Sequence, residues 1–106
     1  MEEYIQVTTT ADTKETAEKI ATVLVQKRLA ACVQIVGPIS SVYWWKGKVE
    51  KTNEWLCIVK TRKNLYEAVE ASIKANHTHE VPEIIAVPIV EGSKGYISWL
   101  DEELGN

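Results

Sequence analysis

Apolar positions along the chain recur with two periods, and the switches between them divide it into elements. Residues 4–9 form a short β-rich run and predict a strand. Asp12, with Glu15 three residues later, has the spacing of a capping box, so a helix should start there. Ala17, Ile20, Ala21, Leu24 and Arg28 follow at three- and four-residue spacing, and Lys27 and Arg28 bring the positive charge that a helix C-terminus favours. Residues 31–36, 41–45 and 55–61 are β-branched or aromatic runs separated by Gly37-Pro38 and by Lys46-Gly47-Lys48, which predicts a strand hairpin in the middle of the chain. Asn64 and Glu67 form a second capping box ahead of the stripe Leu65, Ala68, Val69, Ser72 and Ile73, and residues 84–90 return to a strand pattern. Ser93 is a candidate N-cap for a last helix, with Tyr96, Ile97, Leu100 and Leu104 on one side and Trp99 on another.

The order β-α-β-β-α-β followed by a helix predicts an α+β fold of the ferredoxin-like kind. In it, two helices cover one face of a four-stranded antiparallel sheet, and the last helix is an addition. A single domain spans residues 1–106, a length sufficient for one core without disulfides or a structural metal. Such a fold leaves the second sheet face bare. Because Tyr43, Trp44 and Trp45 are contiguous in one predicted strand, alternate rings must leave the covered face. Pro88 belongs at an edge or a bulge, since it has no N–H for the ladder. Self-association would cover this surface.

Composition narrows the partners. The 15 acidic and 12 basic side chains are dispersed, giving a net charge of -3 without the basic stripe of a nucleic-acid binder. No apolar run approaches the roughly 20 residues that cross a bilayer. The start, Met1-Glu2-Glu3-Tyr4, lacks a cationic region leading an apolar one, so a cytoplasmic location is expected. Cys32 and Cys57 lie inside apolar runs, which predicts buried, unreactive thiols.

The densest candidate chemistry is His77-Thr78-His79-Glu80-Val81-Pro82-Glu83. If this segment is extended, as the residue before Pro82 should be, the two imidazoles share a face and suit a borderline metal such as Cu or Zn. Two nitrogens alone make a weak site, and Glu80, Glu83 or another subunit would have to complete it. The competing reading is that His77 and His79 only follow a helix C-terminus that Asn76 ends. Elsewhere the signals are poorer. No Gly-x-Ser-x-Gly elbow is present, and neither cysteine has a polar setting. Lys60-Thr61-Arg62-Lys63 is either an anion site or a solvated turn, and Asp101-Glu102-Glu103 is expected to be a solvated face.

Taken together, Leu29-Ala30-Ala31-Cys32-Val33, Ser41-Val42-Tyr43-Trp44-Trp45-Lys46-Gly47, Lys60-Thr61, the His77–Ile84 segment and Tyr96-Ile97-Ser98-Trp99-Leu100 resemble the CutA-type divalent-cation-tolerance family along nearly the whole chain. The resemblance implies a cytoplasmic homotrimer linked to copper and other divalent ions, with no enzymatic reaction and no required cofactor. It places family-typical residues in clefts between subunits, here Tyr43, Trp45 and Lys60, and marks His77, Glu80 and Glu83 in the signature, with His79 as an added nitrogen. Thr78 and His79 stand where the family signature has Pro and Tyr. Thr9 stands where some members have a proposed copper-binding cysteine, and Asn76 where a histidine sometimes precedes the signature. Three functions follow as expectations: a metal-responsive trimer, a PII-like sensor whose anionic ligand Lys60 and Arg62 neutralise, and a rigid scaffold.

Overall fold

The computed structural model describes residues 3–105. Met1 and Glu2, on which the reading of the chain's start partly rests, lie outside them. Strand β1 (Tyr4–Ala11) leads into helix α1 (Lys14–Gln26). Strands β2 (Cys32–Trp45) and β3 (Lys48–Arg62) form a long hairpin, and α2 (Tyr66–Asn76), β4 (Ile84–Pro88) and α3 (Lys94–Leu104) follow. The strands pair antiparallel in the order β2-β3-β1-β4. This is the α+β architecture that the periodicity predicts. Pro88 ends the edge strand β4, where its missing N–H matters least.

Alternation along β1 and β3 sorts side chains between the two sheet faces. Ile5, Val7 and Val59 meet Ile20 and Leu24 of α1 and Val69 and Ile73 of α2 in one core, and each large apolar side chain buried there contributes on the order of 1.5–3 kcal/mol. Ala11, Ala17 and Cys57 extend it towards Val33, Ile35 and Trp55. On the opposite face Tyr4 pairs with Arg62, Gln6 with Lys60 and Thr8 with Ile58. Helix α3 lies over the end of that face. Its Asp101 accepts hydrogen bonds from Tyr4 Oη at 2.8 Å and from Arg62 Nε at 3.0 Å. Val36, Ile85 and Val87, beyond the reach of α3, remain exposed on the same face. The bare sheet predicted from the fold is therefore present, with α3 covering only part of it.

Local details depart from the sequence pattern. Helix α1 is capped by Thr13, whose Oγ1 accepts from Thr16 N–H at 3.1 Å, while Glu15 sits in the first turn. Asp12 is thereby released from capping. The helix ends at Gln26, and Arg28, with φ of 59°, takes the left-handed position beyond its end. The Arg28 side chain binds Glu103 of α3 instead of the helix carbonyls. Asn64 does not cap α2: a 3-10 turn occupies Lys63–Leu65, and α2 begins at Tyr66 without a side-chain cap. Ala68 of the predicted stripe is exposed, whereas Val69, Ser72 and Ile73 are buried.

Gly37-Pro38, expected to separate two strands, lies within one. β2 runs through it with a register shift between Val36 and Ile39, and the Gly37–Pro38 peptide is cis. As an outer strand of the sheet, β2 tolerates a proline there. The hairpin closes on a two-residue turn in which Lys46 and Gly47 have φ of 50° and 80°, the left-handed pair that a tight hairpin of this kind requires.

Candidate functional site

Strand β1 stops at Ala11, opposite Trp55, but the hairpin continues past it to Trp45 and Lys48. The projecting arm has two faces of its own. Val42, Trp44 and Val49 lie on one, and Trp44 is 73% exposed. Ser41, Tyr43 and Trp45 lie on the other, which Glu54 shares through its pairing with Ile39. This second face and the segment of residues 78–83 enclose a cleft of about 750 Å3, with Thr10 also in its wall. Tyr43, Trp45, His79, Glu80 and Glu83, five of the predicted site residues, therefore line one cleft within a single chain.

His77 is placed differently. Its Nδ1 accepts from the His79 backbone N–H at 3.0 Å, which leaves the proton on Nε2 to donate to the Thr10 carbonyl at 2.6 Å. With both ring nitrogens occupied, His77 has none free for a metal. It fastens the segment after α2 to the end of β1, so it is neither a free ligand nor merely a charge beside a helix terminus. The His79 ring lies 4.9 Å from it, tilted by 54°, and His79 Nε2 is 3.8 Å from Asp12 Oδ2. Asp12 Oδ1 also accepts from Thr78 Oγ1 at 3.3 Å, so the residue freed from capping α1 anchors the same segment. Among the described residues, no group of three or more His, Cys, Asp or Glu side chains is arranged to hold a metal ion. The donor set in one chain does not fit a tight metal site.

Lys60 is not in the cleft. Its Nζ binds Gln34 Oε1 at 3.0 Å and lies 5.9 Å from the Tyr96 ring. Arg62, whose side chain is 7% exposed, donates to the Asp101 carboxyl and carbonyl and to the Gly105 carbonyl. The anion site expected around Lys60 and Arg62 is thus absent from the cleft, because both cations lie further along the sheet, engaged by Gln34 and by Asp101 and Gly105. Asp101, expected on a solvated face, is the acceptor that holds α3 there. The hydrogen bond from Tyr4, and then Arg62, keep its carboxyl below the ordinary value. Cys57 is buried, and desolvation raises its thiol pKa to about 11. Cys32 is only partly buried and pairs with Lys60. A larger concavity of about 990 Å3, beside Ile5, Tyr66, Val87 and Pro88, contains none of the predicted site residues.

Glu54 is the cleft residue that sequence reasoning missed. It immediately precedes the apolar run beginning at Trp55, and its only sequence signal is that of a solvated strand end. The extra residue in β2 at residues 36–39 brings Tyr43 and Trp45 onto the side of the hairpin that Glu54 faces.

Residues 5–103 match the family described as CutA1 divalent ion tolerance protein. Protein CutA 1, chloroplastic, of Oryza sativa is 47% identical over 91% of this chain and 54% of its own length. An Arabidopsis thaliana CutA, also chloroplastic, is 46% identical and is matched over 56% of its length, so the chain spans about half of these plant relatives. The solved structure of the divalent cation tolerance protein from Thermus thermophilus superimposes with a TM-score of 0.91 at 44% identity, covering 99% of this chain and 100% of that one. The Archaeoglobus fulgidus CutA structure, described as periplasmic, gives 0.89 at 43% identity over 98% and 99%. Relatives are thus named for chloroplast and periplasm, so the fold does not fix location. In this chain no helix among the described residues is long and apolar enough to cross a membrane.

Proposed function

The chain belongs to the CutA1 divalent ion tolerance protein family, and on that premise we propose that it engages divalent cations weakly, by binding and not by catalysis, through His79, Glu80 and Glu83 on the cleft wall. The observation that carries this reading is the cleft's lining, which includes His79 and three acidic side chains but neither lysine nor arginine. One imidazole with carboxyl oxygens suits a borderline ion such as copper or zinc better than a soft-ligand site would. Two or three protein donors give modest affinity, and further donors have to come from a neighbouring copy or from water.

Assembly belongs to the same proposal. Three copies packed through the bare sheet face would cover Val36, Ile85 and Val87, apolar surface that α3 leaves exposed. In this reading His77 positions the segment and His79 supplies the nitrogen. Titration of the protein with copper and zinc by calorimetry tests it. His79→Ala should abolish most of the uptake. His77→Ala should weaken it through loosening of the segment. Equal uptake by all three proteins would refute the assignment, and a monomer by light scattering at micromolar concentration would remove the trimer.

A further inference from the structure

Glu54 is the only buried acidic residue among those described, at 7% exposure, and its carboxylate forms no hydrogen bond or ion pair with any of them. Among the described residues the fully enclosed polar side-chain atoms without a partner are Thr9 Oγ1 and Ser72 Oγ, so the Glu54 stem is buried while its unpaired carboxylate stays open to solvent and to a cation. It faces the cleft, whose wall also carries Glu80, Glu83, Tyr43 and Trp45.

We propose that this cleft binds an organic ammonium ligand, an aliphatic amine or polyamine, with one nitrogen at Glu54 and the carbon chain crossing Tyr43 and Trp45 towards Glu80 and Glu83. Three features select this chemistry. Acidic side chains without a lysine or arginine in the lining favour a cation and reject an anion. Aromatic walls favour a cation that carries hydrocarbon, because a ring face attracts an alkylammonium group that has shed its water. A hard metal ion instead demands a shell of oxygens. The volume, about 750 Å3, lies within the roughly 300–1,000 Å3 of small-molecule sites.

The aromatic residues are already set for this role. Tyr43 Oη and Thr52 Oγ1 are 3.3 Å apart and share a hydrogen bond, which steadies the ring. Lys46 Nζ, from the hairpin turn, sits 5.6 Å from the Trp45 ring centroid, so that ring carries an ammonium group from its own chain. A ligand amine would take the place of Lys46 or stack on the other ring face.

This inference shares Glu80 and Glu83 with the divalent-cation reading but does not depend on it, since its anchors are Glu54, Tyr43 and Trp45 and not His79. Calorimetric titration of the full chain with spermidine, and separately with glutarate as an anionic chain, tests it. Spermidine should bind and glutarate should not. Glu54→Gln, which keeps the shape, should weaken spermidine about tenfold or more, as expected for loss of a charge-assisted hydrogen bond. Trp45→Leu should weaken it several-fold. Glu18→Gln on the exposed side of α1 makes the same change in net charge and should leave the affinity unaltered. His79→Ala should retain spermidine binding while losing copper, which separates the two readings. If Glu54→Gln fails to fold, the comparison rests on Trp45→Leu. Equal binding of glutarate, or an affinity untouched by Glu54→Gln and Trp45→Leu, would overturn the proposal. So would a Glu54→Gln protein with unchanged amine affinity but an altered mass in light scattering, because Glu54 would then be satisfied by a second copy of the chain.

Discussion

Replacing Gly37 with alanine tests how β2 is steered into the arm that walls the cleft. A Cβ at this position would meet Cδ1 of the Trp55 ring and come within 2.7 Å of Cγ and 2.9 Å of Nε1, well inside the roughly 3.5–4.0 Å at which carbon atoms pack. The Trp55 ring cannot retreat freely, because Ala11, Ala17 and Cys57 stand behind it. Either the ring leaves its rotamer or the bulge backbone moves, and overpacking of this kind costs about 1–3 kcal/mol. Guanidinium unfolding at fixed protein concentration measures the loss, with concentration fixed because an assembly's stability depends on it. The diagnostic step is a double-mutant cycle. Trp55→Leu removes the ring, so Gly37→Ala should cost less in that background, with a coupling on the order of 1 kcal/mol. An alanine that costs nothing, or costs the same with and without the ring, would refute the steric account. Because Glu54 adjoins Trp55 in β3, the same variant should also disturb ligand binding in the cleft.

His77→Ala removes a hydrogen bond to the Thr10 carbonyl and one from the His79 N–H, so it should cost about 1–3 kcal/mol and speed amide exchange across residues 78–83. Unchanged exchange there would show that the ring does not fasten the segment. Asp101 has a folded pKa held below its ordinary 3.8 by the hydrogen bond from Tyr4 and by Arg62. Its contribution is therefore present above the unfolded value and lost as pH falls through the folded one. Asp101→Asn should be less stable than the parent at neutral pH, and the gap should close under acid; a gap constant with pH would contradict this. Cys57, with its thiol pKa raised to about 11, should resist a thiol reagent at pH 8 while Cys32 reacts, and labelling of Cys57 first would contradict its burial.

The α1 stripe and the α3 cap were legible in the sequence because each depends on spacing within one helix: Ala17, Ile20 and Leu24 are buried, and Ser93 accepts from Tyr96 N–H. The α+β class and the four-stranded antiparallel sheet followed from the succession of elements. The bulge was not legible, because a Gly-Pro pair carries the same local signal in a strand on the outside of a sheet as it does in a turn. Asn64 and Glu67 likewise had capping spacing, but Lys63 N–H bonds to the Glu3 carbonyl and the chain winds into a 3-10 turn before the helix begins. Of the candidate site, the histidine segment and the two aromatic residues were visible. The engagement of His77 was hidden, since its carbonyl partner lies 67 residues away, and so was that of Asp101, whose tyrosine partner is 97 residues away. Such contacts are set by sheet register, which local periodicity does not encode.

Strand β3 joins these threads. At its C-terminal end Lys60 and Arg62 face α3. Leu56 and Ile58 belong to the same bare face, and between them Cys57, Val59 and Thr61 are buried beneath the helices. Before Trp55 the strand has outrun β1, and Glu54, on the same side of the strand as Leu56, lines the cleft. Bare face and core therefore alternate along one 15-residue strand, and the cleft begins on the bare-face side at the point where β1 ends. A substitution at Leu56 or Ile58 should change self-association with little effect on ligand affinity, and one at Glu54 should do the reverse. If both change together, the cleft is formed between copies and not by one chain, and the sites proposed for the two kinds of cation have to be redrawn across that boundary.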